Sequence, residues 1–257
     1  MIITKTPFRM SFFGGGTDME EYFKENGGAV LSTSFDKYCY VNVRHLPPFF
    51  QYSTELSYSK TERVRSLEEI QHPAIREAMR ILDMQEIRLM YEADLPARSG
   101  LGTSSSFAVG MLHAFHALKG KYVDKKTLAD QAIHLERVLC KEAGGWQDQI
   151  AASFGGLNRI DFSAEGYRVS PILISPERKQ RLNENLMLFF TGFTRFSSEI
   201  QKANQSSSPE DKNALLREMR ALVDEGADIL CSKGRDLDDF GRLLHSTWEL
   251  KRKTAKS

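Results

Sequence analysis

The fold is decided by one stretch, Pro96-Ala97-Arg98-Ser99-Gly100-Leu101-Gly102-Thr103-Ser104-Ser105-Ser106. It follows a strand-like alternating run at 86–92 and precedes a helix, predicted from apolar residues that recur at spacings of three and four: Phe107, Met111, Leu112, Phe115 and Leu118. Glycines let the backbone approach an anion closely, and the first turn of a helix presents unpaired N–H groups to it. The stretch therefore predicts a phosphate-binding loop, although a plain glycine turn with a Ser/Thr N-cap remains an alternative.

Two familiar nucleotide loops do not fit this stretch. The G-K-[ST] ending of a Walker A loop is absent, and Ser105 stands where a Rossmann fingerprint has its third Gly or Ala. The hydroxyls of Thr103 to Ser106 can cap the helix, bind phosphate oxygens or reach a magnesium ion.

Working outward from the loop, the sequence predicts an α+β fold with strands grouped early and helices late. Propensity and alternation predict strands at 1–12, 29–35, 38–46, 56–60, 86–92, 156–162, 167–174 and 186–193. Helical spacing predicts helices at 19–25, 73–83, 125–141, from Ser104 to a stop at Gly120, after the turn A-G-G-W, and through most of the chain beyond Arg195.

The overall charge excludes long-range attraction of a polyanion. The chain has 35 basic and 34 acidic residues, a net charge of +1, so any anion must be held by a local site. Nucleic acid has no support beyond the basic run Lys251-Arg252-Lys253, and no apolar run is long enough to span a membrane.

The cysteines and histidines predict neither a disulfide framework nor a structural metal site. Cys39, Cys140 and Cys231 are odd in number, far apart and without a C-x-x-C, which is typical of a reducing cytoplasm. The six histidines show no metal-ligand spacing. We therefore expect a cytoplasmic protein.

Two further motifs accompany the loop: Arg9-Met10-Ser11-Phe12-Phe13-Gly14-Gly15-Gly16-Thr17-Asp18 and Gly144-Gly145-Trp146-Gln147-Asp148-Gln149. In this order the three motifs resemble those of the GHMP kinase superfamily, which includes galactokinase, homoserine kinase, mevalonate kinase and phosphomevalonate kinase. The loop is similar to P-x-x-x-G-L-G-S-S-A, with Thr103 for the first Ser and a serine for the Ala. The forms F-F-G-G-G-T-D and G-G-W-Q-D-Q look most like the heptose-phosphate kinase and fucokinase branch.

The resemblance implies a two-domain fold. An N-terminal domain like domain 2 of ribosomal protein S5, expected at 1–175, packs on a C-terminal α+β domain, expected at 176–257, with ATP and substrate in the cleft between them. The family's third motif, a glycine-rich loop near the C-terminus, has no counterpart, because Gly226, Gly234 and Gly241 are not clustered. We therefore expect either an incomplete chain, with a truncated C-terminal domain, or a chain that has lost this motif.

The resemblance also implies the cofactors ATP and Mg²⁺ and the residues that hold them. Arg98, Ser99, Gly100, Leu101, Gly102, Thr103, Ser104 and Ser105 are expected to wrap the nucleotide phosphates. Ser104 and Glu136 match the magnesium-binding pair. Glu136 is notable by itself, since it lies within an apolar face of helix 125–141, where a carboxylate is costly unless it is paired or binds a metal. A glutamate at the edge of that face, reaching water, remains the alternative.

Asp148 is expected to be the catalytic base, because phosphoryl transfer needs the acceptor hydroxyl oriented in line with the γ-phosphate. Arg9 resembles the arginine that accompanies this aspartate and can stabilise charge in the transition state. The alternatives are an N-cap role for Asp148 and a surface position for Arg9.

Gly14, Gly15, Gly16, Thr17 and Asp18 resemble the residues that line the sugar site. Asp18 can also cap the helix that follows it, and Trp146 can stack on a sugar or be a buried structural residue.

The expected activity is phosphorylation of the anomeric hydroxyl of D-glycero-D-manno-heptose 7-phosphate to the 1,7-bisphosphate. Two alternatives stay open: a C1 kinase for a neutral sugar such as L-fucose or galactose, and a non-catalytic relative that binds nucleotide or sugar. The expected partner is a small sugar or sugar phosphate, with no nucleic acid and no membrane, and a homodimer remains open.

Overall fold

The computed structural model describes residues 1–97, 99–189 and 209–254 of the 257-residue chain. The strands are β1 (Ile2–Phe13), β2 (Gly28–His45), β3 (Thr54–Ser57), β4 (Thr61–Val64), β5 (Ile87–Ala93), β6 (Leu157–Ser163) and β7 (Gly166–Pro171). The helices are α1 (Glu20–Asn26), α2 (Pro73–Ile81), α3 (Thr103–Leu118), α4 (Lys125–Ile133), α5 (Gln147–Phe154), α6 (Pro176–Glu184), α7 (Pro209–Cys231) and α8 (Leu237–Thr254), with a 3₁₀ turn at Leu67–Glu69 and a π-helix at His134–Leu139. The presence of both a sheet and many helices confirms the predicted α+β fold class.

The chain forms two compact units, each discontinuous in sequence. The first consists of Met1–Phe8, Phe35–Ala143 and Asp148–Phe154, and the second of Arg9–Ser34, Gly144–Gln147 and Gly155–Ser257. Neither unit begins or ends at the predicted domain boundary between residues 175 and 176. The two-domain division of the family therefore stays a prediction for this chain.

In the first unit, one hydrophobic core lies between the sheet and the helices. Strand β5 pairs antiparallel with Cys39–His45 of β2 and parallel with β3, and β3 forms a hairpin with β4. Helix α3 is buried along most of its length, as its run of apolar residues requires. Side chains that are fully buried in this core include Phe8, Ile75, Met79, Leu89 and Phe115. The loop between β5 and α3 is thus anchored at both ends.

In the second unit, the first half of β2 pairs with β6, and β6 forms a hairpin with β7. The ring of Phe240 in α8 packs edge-on against Phe12 and Phe13, with ring centroids 5.1 and 5.0 Å away. A β-carbon on Gly226 of α7 would lie 2.5 Å from the Phe13 ring, so this helix needs a glycine to pack against the strand.

Three sequence-based boundaries were wrong. The strands expected at 29–35 and 38–46 are one continuous strand, because no Gly or Pro interrupts the chain between them. The helix expected at 125–141 is α-helical only to Ile133 and then widens into the π-helix. In the part of 186–193 that is described, residues 186–189 form no strand, and residues 190–193 lie outside the described residues.

The hairpin expected at 156–162 and 167–174 is confirmed as β6 and β7. Strand β4 was not predicted. Among the described residues, no helix has the length and apolar character needed to cross a bilayer.

Candidate functional site

The loop between β5 and α3 has the backbone of an anion-binding turn. Gly100 and Gly102 have φ values of 79° and 71°, in the left-handed region that glycine adopts without strain. A β-carbon on Gly100 would have none of the described atoms within 4 Å, so the positive φ is the observed reason for a glycine here. Gly102 accepts the first helical bond, from Ser106 N at 2.9 Å, and α3 begins with its N–H groups at the loop. The geometry suits a phosphate group.

The hydroxyls of the loop divide into three groups. Ser104 and Ser105 donate to Glu136 over 2.8 and 2.7 Å. Ser106 donates to the carbonyl of Pro7 over 2.9 Å and so ties α3 to β1. The Oγ atom of Ser99 is buried and has no hydrogen-bond partner in the described structure. Buried polar atoms are usually hydrogen-bonded, so this hydroxyl is a candidate contact for a ligand. Arg98, expected in the same loop, lies outside the described residues.

Glu136 forms the centre of a buried polar cluster in the first unit. Its side chain is 1% exposed, which rules out the alternative of an edge residue reaching water. Its carboxylate accepts hydrogen bonds from both serines and from Nε2 of Gln149, and the Arg137 guanidinium is 3.8 Å away. It lies in the π-helix, a rare geometry that is common at functional sites.

The oxygen atoms of the same cluster are of the kind that magnesium binds. A carboxylate and two hydroxyls are hard oxygen ligands, and Mg²⁺ takes only one or two carboxylates and completes its shell with water and phosphate. The Oε1 atom of Gln149 is buried and has no hydrogen-bond partner in the described structure, which leaves an acceptor for a bound water. The described residues contain no group of three His, Cys, Asp or Glu that could hold a metal by themselves, so a metal here would depend on the nucleotide.

The second glycine loop, Gly14 to Gly16, is held tightly within the second unit. The Thr17 hydroxyl donates to the carbonyls of Gly14 and Ala29, each over 2.8 Å, and accepts from Ala29 N at 3.1 Å. A β-carbon on Gly14 would lie 1.9 Å from the Ala29 carbonyl oxygen. Thr17 is fully buried, so its hydroxyl holds the loop, and its expected contact with substrate stays a prediction.

Asp18 joins this loop to the G-G-W-Q segment. It is 2% exposed and accepts hydrogen bonds from Gly16 N at 2.9 Å and Gln147 N at 3.2 Å. A β-carbon on Gly145 would lie 1.9 Å from Asp18 Oδ2. The N-cap of α1 is Met19, without a side-chain cap, so Asp18 does not cap that helix.

The predicted catalytic pair belongs to different units. Asp148 is half-buried in the first turn of α5 in the first unit, and Arg9 is half-buried on β1 in the second. Trp146 packs edge-on against Phe23 at 4.9 Å between ring centroids, which supports its structural alternative.

Two further polar residues at these loops were not predicted. Gln149, the last residue of the G-G-W-Q-D-Q segment, contacts Glu136, and its place beside Asp148 in that segment was the only signal in the sequence. Lys251 on α8 lies 3.4 Å from the position of a Gly15 β-carbon, a contact that the basic run alone could not indicate. Desolvation of the ammonium group, and then the positive charge of Arg9, lower the pKa of Lys251. The negative charge of Asp18 raises it.

The chain is similar in sequence to known kinases. Residues 67–156 match the GHMP kinases N terminal domain. The chain is 24% identical over 265 residues to a D-glycero-alpha-D-manno-heptose 7-phosphate kinase of Campylobacter jejuni, covering 98% of this chain and 77% of that protein. It is 26% identical over 289 residues to an L-fucokinase/L-fucose-1-P guanylyltransferase of Bacteroides fragilis, covering 95% of this chain and 30% of that protein.

The fold is shared with solved kinases. A D-glycero-D-manno-heptose 1-phosphate kinase from Bacteroides thetaiotaomicron superposes with a TM-score of 0.82 at 23% identity, covering 98% of this chain and 80% of that chain. A Streptococcus pneumoniae phosphomevalonate kinase, solved with phosphomevalonate and AMPPNP, gives a TM-score of 0.75 at 15% identity, covering 99% of this chain and 81% of that chain.

Proposed function

We propose that this chain is an ATP-dependent sugar kinase that phosphorylates the anomeric hydroxyl of a heptose 7-phosphate. The match of residues 67–156 to the GHMP kinases N terminal domain and the likeness of the chain to a heptose 7-phosphate kinase and an L-fucokinase support this proposal. The observation that carries the proposal is the pairing of an open glycine loop with a buried carboxylate, Glu136, which is held by two hydroxyls of that loop.

The loop accounts for the binding of ATP. The N–H groups of the loop and of the first turn of α3 would bind the triphosphate, and Ser99 would supply a hydroxyl that has no partner in the described structure. Ser104 and Glu136 would hold a magnesium ion, with Gln149 keeping the carboxylate in place. The ion would supply positive charge that offsets the charge of the phosphates.

Asp148 orients the acceptor hydroxyl and accepts its proton as the hydroxyl oxygen bonds to the γ-phosphorus of ATP. The bond between that phosphorus and the β–γ bridging oxygen breaks in the same step, and ADP leaves with the bridging oxygen. Arg9 stabilises the negative charge that develops on the transferred group. The sugar lies against the second glycine loop. Asp18 accepts hydrogen bonds from Gly16 and Gln147, so it joins this loop to the G-G-W-Q segment.

The names of the relatives support a heptose phosphate as the acceptor. One is named for heptose 7-phosphate and another for heptose 1-phosphate, so the two names place the phosphate at different ends of the sugar. The likeness to an L-fucokinase over 95% of the chain favours a neutral sugar as the second candidate. We place the reaction in the cytoplasm, supported by three free thiols at Cys39, Cys140 and Cys231.

A panel of acceptors tests the proposal. Heptose 7-phosphate, heptose 1-phosphate, L-fucose, galactose and mannose are each supplied with ATP and magnesium, ADP release is measured, and ³¹P NMR locates the new phosphate. We expect the highest kcat/KM with heptose 7-phosphate and a new signal from a phosphate on C1. A neutral sugar with the highest kcat/KM would overturn the heptose assignment and leave the general sugar-kinase activity.

A further inference from the structure

The two oxygen atoms of the Glu136 carboxylate have different surroundings within the first unit. Oε2 accepts a hydrogen bond from the Ser105 hydroxyl over 2.7 Å and another from Nε2 of Gln149. A guanidinium nitrogen of Arg137 lies 3.8 Å from the same oxygen. Oε1 accepts one hydrogen bond from the described residues, from the Ser104 hydroxyl over 2.8 Å. Most of the described polar contacts of this carboxylate are therefore made by Oε2.

The two serines that reach Glu136 differ in exposure. Ser105 is 3% exposed, while Ser104, one position earlier in the first turn of α3, is exposed. Successive residues of an α-helix are about 100° apart around its axis, so the two hydroxyls approach the carboxylate from different directions. Solvent therefore reaches Ser104, while protein covers Ser105. This burial favours an internal role for the Ser105 side chain over its expected contact with a nucleotide phosphate.

The hydrogen bonds to Oε2 also determine where Oε1 points. A carboxylate has lone pairs for about four contacts, about two on each oxygen. Oε2 already accepts two hydrogen bonds, and Oε1 accepts one from the described residues, which leaves Oε1 able to take a further ligand. Because rotation of the carboxylate would break both bonds to Oε2, these bonds hold Oε1 in a fixed direction.

We propose that Oε2 of Glu136 is the anchoring oxygen and Oε1 the oxygen that binds magnesium, and that Ser105 is a positioning residue that acts on the metal through Glu136. The inference rests on the magnesium assignment within the proposed function and not on the choice of sugar. Residues that hold a metal ligand without contacting the metal commonly strengthen metal binding. Two adjacent serines of one helical turn thus have different tasks.

Ser105→Ala tests this role, with Ser106→Ala as the matched control. Ser106 is the next residue of the same helix and is also buried, but its hydroxyl donates to Pro7. Electron paramagnetic resonance measures the affinity for Mn²⁺ in the complex with a non-hydrolysable ATP analogue. We expect Ser105→Ala to weaken this affinity about fivefold, since Gln149 still holds Oε2, and Ser106→Ala to match the parent. Ser105→Thr, which keeps the hydroxyl, should restore most of the affinity.

A double-mutant cycle distinguishes an indirect role of Ser105 from a direct one. If Ser105 acts through Glu136, the effect of Ser105→Ala on Mn²⁺ affinity should disappear when Glu136 is replaced by Gln. Calorimetric titration with the analogue in EDTA gives a second readout, and Ser105→Ala should bind the metal-free analogue as the parent does. A loss that persists beside Glu136→Gln, or weaker binding of the metal-free analogue, would assign the hydroxyl to the metal or to a phosphate. Either result would overturn the inference.

The kinetics separate positioning from a general loss of structure. Ser105→Ala should need more magnesium for half-maximal rate and should reach a near-parental kcat when magnesium is saturating. A kcat that stays low at saturating magnesium would contradict a positioning role. Thermal unfolding checks the fold. If the alanine variant does not fold, Ser105→Cys, which has a similar shape and a weaker donor, gives the same comparison.

The proposed function and this inference fail in different ways. A parent protein that binds no Mn²⁺ together with the analogue refutes the magnesium assignment and the inference with it. A parent whose Mn²⁺ affinity falls in Glu136→Gln but is unchanged in Ser105→Ala refutes the inference alone. A parent that prefers a neutral sugar refutes the heptose assignment, and the Mn²⁺ titration still decides the role of Ser105.

Discussion

The two glycine loops have similar sequences and opposite surroundings. At Gly100 a β-carbon would have none of the described atoms within 4 Å, while at Gly14 it would lie 1.9 Å from a backbone carbonyl. The first loop has a buried serine hydroxyl without a partner in the described structure, and the second has a threonine hydroxyl with three backbone contacts. The first loop has the backbone of an anion-binding turn, and the second is packed so that it holds its own shape.

This difference shows that glycine serves two physical purposes in one chain. In the first loop it permits a left-handed backbone and close approach of an anion. In the second it permits two segments of chain to pack at a distance that no side chain would allow. In the sequence both loops are simply glycine-rich, G-L-G in the first and G-G-G in the second. The two purposes are distinguished only by the atoms that surround each glycine in the fold.

The largest expected effect concerns the predicted catalytic base, Asp148. Asp148→Asn should lower kcat at least about a hundredfold, because an amide cannot accept the acceptor's proton. Binding of a fluorescent ATP analogue should remain, since the first loop is unchanged. Asp238→Asn is the matched control, an exposed aspartate in the first turn of α8. Near-parental turnover of Asp148→Asn would remove this residue from the mechanism.

Alanine at each loop's first glycine compares the two loops directly. Gly14→Ala should cost roughly 3 kcal/mol or more of the free energy of unfolding, because the new methyl group overlaps a carbonyl that cannot move away cheaply. Gly100→Ala should cost about 1 kcal/mol, the strain of a left-handed alanine in open space. Denaturant unfolding measures both. Equal losses would show that the loops do not differ in packing.

Substitutions of Ser104 and Glu136 test whether this pair binds magnesium. Glu136→Gln and Ser104→Ala should each raise the magnesium concentration needed for half-maximal rate, by about tenfold for the charge change and less for the hydroxyl. Binding of Mn²⁺ with an ATP analogue, followed by electron paramagnetic resonance, gives a readout without turnover. Ser106→Ala is the control, since this hydroxyl bonds to Pro7 and should affect stability alone. The metal assignment fails if Glu136→Gln and Ser104→Ala keep the parental metal dependence.

A smaller effect is expected at Gln149. Replacement by Leu removes a hydrogen bond to the buried carboxylate but keeps a similar volume, so Glu136 should bind the metal several-fold more weakly. The same Mn²⁺ titration measures this, and Gln149→Asn, which keeps the amide on a shorter side chain, should fall between parent and Leu. Unchanged metal affinity in the Leu variant would reduce Gln149 to a packing residue.

The sequence predicted the parts of the site that depend on local pattern. The strand–loop–helix context of Gly100 and Gly102 and the burial of Glu136 both followed from periodicity. The approach of Lys251 to Gly15 did not, since it depends on how α8 packs 236 residues away in the chain. The π-helix at Glu136 was also missed, because its sequence has ordinary helical spacing.

The central claim is that the first loop binds the nucleotide and the second loop binds the sugar phosphate. Amide chemical shifts of ¹⁵N-labelled protein test it most directly, recorded with a non-hydrolysable ATP analogue and magnesium, and separately with heptose 7-phosphate. We predict that the nucleotide shifts the amides of residues 99–105 and that the sugar phosphate shifts those of residues 14–18. Nucleotide-induced shifts that leave residues 99–105 unchanged would contradict the account.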